Sequence, residues 1–288
     1  MNEPRMTGSG PVVPRGLAER ARDISEGRLA PALPRDAATV ILLRQDAAGV
    51  EAFLLRRTAE LEFAPGAYVF PGGSVDARDA DPGVGWAGPG PADFAALLDV
   101  PPDRARALVC AAVRETFEES GVLLAGASHD DLISDSAALA ADRHALLAGA
   151  ASLAEVLGRR GLVLRTDLLT PWARWITPEA SPRRFDTWFF AAALPPGQAA
   201  TAAPEGHADP GESESGAWLR PASALEAARA GQMTLLPPTA VTLGELAGHA
   251  DVPAILARRQ VITPRLPKVI VEDGQVRLHL PSVGEERT

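Results

Sequence analysis

The chain has 288 residues, 46% of them hydrophobic and 23% charged, a profile of a globular protein able to bury a sizeable core as one elaborated domain or a domain with a lobe. Its 37 acidic against 28 basic residues give a formal charge of −9, which argues against a nucleic-acid polymer as partner, because such binding needs a basic surface. The single cysteine, Cys110, excludes an intrachain disulfide, and no apolar run reaches the length of a membrane span or forms a secretory leader, so the expected compartment is the cytoplasm.

In chain order, residues 1–36 mix Gly, Pro and scattered Arg and read as a poorly ordered lead-in, with a helix around Leu17–Ile24. ATVILLR (38–44) and VEAFLLRR (50–57) read as strands of a hairpin about the turn DAAG, and GAYVFPGG supplies the next strand. Residues 77–103 are rich in Gly, Pro and Asp and read as an excursion outside the sheet, with one short helix around Phe94–Leu98. PDRARALVCAAVRETFEESG (102–121) is punctuated as a helix, with proline at its start and glycine at its end. Residues 136–160 are alanine- and leucine-rich helical sequence ending near Gly161. LLTPWARWITP and RFDTWFFAAAL then read as strands, and PASALEAARAG and PPTAVTLGELAGHA as helices opened by proline. PKVIVEDGQVRLHLP closes the chain as a hairpin about Asp273-Gly274. Strands interleaved with helices imply an α/β fold with a mixed sheet.

The helix over 102–121 carries the question of function. At 100° per residue, Cys110, Val113 and Phe117 share a stripe that should face a core. Glu115, Glu118 and Glu119 fall on the other side, within an arc of about 100°. Each like-charged i,i+3 or i,i+4 pair costs about 0.2–0.5 kcal/mol, so the cluster is either a solvated face, with Arg114 paired to Glu118, or a site for a hard cation such as Mg²⁺ or Mn²⁺ that takes oxygen ligands. The helix alone does not choose between them.

The upstream sequence adds a motif. APGAYVFPGGSVD (64–76) places Gly72 and Gly73 after a strand, where backbone can approach a ligand closely. Gly73, followed by Arg114, Glu115, Glu118, Glu119, Gly121 and Val122 in the spacing R-E-x-x-E-E-x-G-V, resembles the signature of the Nudix hydrolases. Asp79 stands where that signature has its first glutamate, Thr116 replaces an apolar residue, and the second half arrives 27 residues late, at Arg114 instead of residue 87. An insertion at this point, with WARWITPEASPRRFDTWFF and LPPTAVTLGEL further on, is similar to the branch that contains peroxisomal coenzyme A diphosphatases and bacterial relatives.

The resemblance implies a Nudix-type α/β/α sandwich over 37–288, with insertions at about 77–103 and 126–165 and a C-terminal helical and hairpin extension. It implies a diphosphatase dependent on Mg²⁺ or Mn²⁺, acting on a small-molecule diphosphate, with coenzyme A or an acyl derivative leading. The alternatives are NADH, dinucleotides or nucleotide sugars, or a non-catalytic nucleotide sensor. Glu115 and Glu119 would be the strongest metal ligands, Glu118 would join them or act as base, and Arg114 would hold a glutamate or the loop. Gly72 and Gly73 would line the substrate. Arg183 and Arg184 are candidates to grip a phosphate, with surface charge weighed equally against that role. Asp76 and Asp79 read as a surface loop rather than metal support, and Glu212 and Glu214 as structural. The oligomeric state stays open, a homodimer among its options.

Overall fold

The computed structural model describes residues 15–58, 65–202, 213–272 and 275–280. They divide into two compact units. The larger comprises Ala37–Trp172 and Trp188–Ile262, and the smaller the described residues of Met1–Asp36, Ala173–Thr187 and Thr263–Thr288.

The fold is α/β with a mixed sheet. The hairpin expected about residues 46–49 is present. Arg35–Asp46 and Gly49–Arg57 pair antiparallel, with Asp46 opposite Gly49 across a two-residue turn. Seven consecutive residues of the first strand, from Ala37 to Leu43, are buried, as befits a strand covered on both faces. The sheet order is Thr234–Leu235, Ala67–Val69, Gly49–Arg57, Arg35–Asp46, Phe185–Ala193, Thr170–Ile176 and Pro264–Arg265, with Ser213–Leu219 also pairing to Gly49–Arg57. Thr234–Leu235 runs parallel to its neighbour, which makes the sheet mixed. The double glycine is itself a short strand. Gly72–Ser74 pairs antiparallel with Ala37–Thr39.

The glutamate helix is Pro102–Ser120. Proline starts it and Gly121 ends it in the left-handed conformation (φ 71°), where its N–H donates to the Phe117 carbonyl. Cys110, Val113 and Phe117 are fully buried, as their periodicity requires. Burial pushes the Cys110 thiol up to about 12, so it is an inert core group. Thr116 is buried too. Its hydroxyl donates to the Ala112 carbonyl at 2.7 Å, which satisfies a polar side chain at a position that the motif keeps apolar.

Neither insertion contributes a strand to the main sheet. The first forms a 3₁₀ turn (Ala77–Ala80), a two-residue strand (Trp86–Ala87) and a helix (Pro91–Leu98). The second contains helices Ala140–Leu147 and Leu153–Arg160 and a strand, Val163–Arg165. A separate three-stranded sheet stitches them together, with Val163–Arg165 between Trp86–Ala87 and Ala125–Gly126. The later helices are Pro221–Arg229 and Pro237–Leu246, each opened by proline.

In the smaller unit, Arg15–Ser25 is helical and Arg20 Nε donates to the Ala180 carbonyl. Lys268–Glu272 and Gln275–His279 form an antiparallel pair with Glu272 opposite Gln275. The turn residues Asp273 and Gly274 lie outside the described residues. Among the described residues no helix is long and apolar enough to cross a membrane.

Candidate active site

The three glutamates sit on the last two turns of Pro102–Ser120, and the loop and strand around Gly72–Asp79 fold over them. They are therefore not a solvated face. The side chains of Glu115 and Glu118 are 13% and 12% exposed.

Arg114 organises the cluster. Its Nε and Nη2 donate to the two carboxylate oxygens of Asp79, each at 2.9 Å, as a bidentate fork. Its Nη1 donates to Glu115 Oε1 and Glu118 Oε2, both at 2.9 Å, and Nη2 also reaches the Ser74 carbonyl. One guanidinium thus fixes two glutamates and the glycine strand together. Burial works against the Arg114 charge, but Asp79, Glu115 and Glu118 outweigh it and raise its pKa.

Asp79 departs from the surface-loop expectation. It is 2% exposed, closes a capping box by accepting from the Asp76 N–H at 2.8 Å, and faces Arg114. Asp76 stays near the surface, where it caps the same turn and pairs with Arg78. The signal for Asp79 was its offset from Gly73. The intervening excursion hid the pairing with Arg114.

The glycines act through backbone. The Gly72 N–H donates to Glu119 Oε2 at 2.7 Å. A Cβ on Gly73 would lie 2.5 Å from Glu115 Oε1, so a side chain there would push that carboxylate from its place beside Arg114. Arg143, from the second insertion, was invisible in the sequence because nothing in its spacing relates it to the motif. Its Nε donates to the Glu118 carbonyl at 2.9 Å.

Burial is the main cause of raised pKa values at Glu115, up to about 7, and at Glu118, with Arg114 opposing it in both. Asp79, Glu115, Glu118 and Glu119 face two guanidiniums, Arg114 and Arg143, a formal excess of two negative charges. That excess and the hard oxygen donors fit a divalent cation. Among the described residues no three His, Cys, Asp or Glu side chains are already gathered as a metal-holding set, and Arg114 Nη1 lies within hydrogen-bonding distance of both Glu115 and Glu118.

Arg183 and Arg184 belong to the smaller unit. Arg183 is exposed. Arg184 is buried, its Nε and Nη1 committed to the carbonyls of Thr177 and Ala32 at 3.0 and 2.8 Å. Glu212 and the side chain of Glu214 lie outside the described residues.

The NUDT19 Nudix domain family matches residues 93–246, more than half of the chain. The chain is 27% identical over 238 residues to the acyl-coenzyme A diphosphatase NUDT19 of Xenopus laevis, in an alignment covering 70% of this chain and 61% of that protein. It is 29% identical over 223 residues to putative nudix hydrolase 7 of Caenorhabditis elegans, covering 75% and 62%. The chain thus spans about three fifths of the length of these curated relatives. Among solved structures it resembles a NUDIX hydrolase from Alicyclobacillus acidocaldarius, with a TM-score of 0.65, 25% identity, and coverage of 81% of this chain and 99% of that one.

Proposed function

The chain belongs to the NUDT19 Nudix domain family, and from that premise we propose that it hydrolyses the diphosphate bond of coenzyme A or an acyl-coenzyme A, with Mg²⁺ or Mn²⁺ held by Glu115, Glu118 and Glu119. The observation that carries the chemistry is the buried glutamate cluster with its formal excess of two negative charges, ordered by Arg114 and by the Gly72 N–H. The substrate class rests on the relatives, of which that of Xenopus laevis is named an acyl-coenzyme A diphosphatase.

A bound divalent cation would offset the charge of the diphosphate and acidify a water. The chain's own residues supply the rest. Arg114 joins Glu115 and Glu118 to Ser74 and Asp79, and a cation would take over the carboxylate oxygens that Arg114 Nη1 now engages. Gly72 and Gly73 bring backbone against the glutamates without side chains that would fill the space, leaving the strand edge for substrate phosphate. Glu118 would join the metal ligands or take the base role, its carboxyl raised by burial and opposed by Arg114.

The test is turnover of a panel containing coenzyme A, acyl-coenzyme A, NADH and a nucleotide sugar, with Mg²⁺, Mn²⁺ or chelator, and identification of the products. Coenzyme A cleaved to 4′-phosphopantetheine and 3′,5′-ADP only when metal is present is the expected result. Preferred cleavage of NADH or the nucleotide sugar would overturn the substrate, and undiminished turnover in chelator would overturn the metal.

A further inference from the structure

We propose that Arg143, in the second insertion, is a positioning residue that fixes the glutamate-bearing last turn of Pro102–Ser120. The inference rests on the reading that these glutamates carry the reaction.

The last four carbonyls of an α-helix have no partner within it, and a turn left unpaired frays. Here that turn holds Glu118 and Glu119, whose Cα positions set where their carboxylates begin. Three donors from beyond the helix's last residue in the chain close it. The Gly121 N–H donates to the Phe117 carbonyl at 2.9 Å, Arg143 Nε to the Glu118 carbonyl at 2.9 Å, and the Thr201 N–H to the Ser120 carbonyl at 2.8 Å. Arg143 Nη2 also donates to the Thr201 carbonyl at 3.1 Å, so one guanidinium joins two of these anchors.

Two further observations single out this arginine. Both of its hydrogen bonds run to backbone carbonyls, so its fork reads chain position and not a carboxylate. A Cβ at Gly121 would lie 2.9 Å from Arg143 Nη1, so the glycine that ends the motif also makes room for the guanidinium. A cation at a helix C-terminus complements the helix dipole as well. The second insertion, which adds no strand to the main sheet, thereby reaches the chemistry through one side chain.

Arg143→Ala removes the fork, and Arg143→Lys keeps the charge on a compact ammonium that lacks the planar fork. Misplacing a reacting group by about 1 Å costs about 100-fold. Both variants are measured beside Glu119→Gln for kcat and KM on coenzyme A, for Mn²⁺ affinity by electron paramagnetic resonance of the free ion, and for thermal midpoint. The expected result is a kcat lower by about 10- to 100-fold in Arg143→Ala with a far smaller change in KM, weaker Mn²⁺ binding, and partial recovery on adding ethylguanidinium. Arg143→Lys should keep the fold and recover less than half of the lost kcat. A folded Arg143→Ala, or Arg143→Lys should the alanine variant not fold, with wild-type kcat and Mn²⁺ affinity and only a lower thermal midpoint, would overturn the proposal. If Glu119→Gln also turned over normally, the reading of the glutamates would be the one at fault; if Glu119→Gln were inactive, only the role of Arg143 would fall.

Discussion

Glu119 and Asp79 make the sharpest contrast between two acidic side chains in one cluster. Glu119 accepts from the Gly72 N–H at 2.7 Å, whereas Asp79 is held by both arms of the Arg114 guanidinium. Glu119→Gln keeps the shape and removes the charge that a cation would use. Its expected effect is a loss of Mg²⁺-dependent turnover by orders of magnitude with the fold intact, checked by steady-state kinetics and circular dichroism. Near-normal turnover would remove Glu119 from the metal set. Asp79→Ala should act on stability instead. Removing one partner of a buried ion pair costs about 3–5 kcal/mol, and the lower end applies because Arg114 keeps Glu115 and Glu118. A urea midpoint unchanged from wild type would show that the fork to Asp79 carries no stability. This pairing also marks a limit of the sequence. Glu115, Glu118 and Glu119 were found from helical periodicity, but periodicity could not tell whether their face was solvated, because the cover comes from Gly72–Asp79, more than thirty residues away in the chain.

Elements with local punctuation were legible, and elements defined by distant contacts were not. Pro102 and Gly121 mark the ends of the glutamate helix because proline suits a first turn and glycine the left-handed cap. The two-residue turn after Asp46 and the proline-opened helices follow from equally local chemistry. The small sheet between the insertions was invisible, since its strands are only two or three residues long and their partners lie far apart in the chain. Nor is the first insertion a detached excursion. Phe94 of Pro91–Leu98 is 1% exposed, with ring centroids 6.1 Å from Trp86 and 6.3 Å from Phe190 of the main sheet. Its helix therefore plugs the core beside the glutamate helix. Phe94→Ala should destabilise the protein by about 3–5 kcal/mol through the cavity it leaves, seen as a lower midpoint of thermal or urea unfolding. A loss under about 1 kcal/mol would mean that the insertion helix is not anchored by this ring.

At the scale of the whole molecule, the proposed function turns on which diphosphate would be the substrate. A chain with a formal charge of −9 must meet an anionic substrate through local fields, which bound metal and a few arginines can supply. Coenzyme A differs from NADH and ordinary nucleotide sugars by a 3′-phosphate on its ribose, beyond the diphosphate. A fixed cation that reads this dianion would define the substrate class. Of the two arginines singled out in SPRRFDTWFF, Arg184 is committed to the carbonyls of Thr177 and Ala32, so its replacement by alanine should lower stability and affect all substrates alike. Arg183 is exposed, and its candidacy for a phosphate rests on the sequence alone. A charge-assisted hydrogen bond contributes about 1.5–3 kcal/mol, which is about tenfold or more in kcat/KM. If Arg183 is that cation, Arg183→Ala weakens turnover of coenzyme A by that factor and leaves dephospho-coenzyme A nearly unaffected. Equal losses on both substrates would assign Arg183 to the diphosphate or to folding. No loss on either would return it to the surface charge of the strand junction, and the cation that recognises the 3′-phosphate would have to be sought elsewhere in the chain.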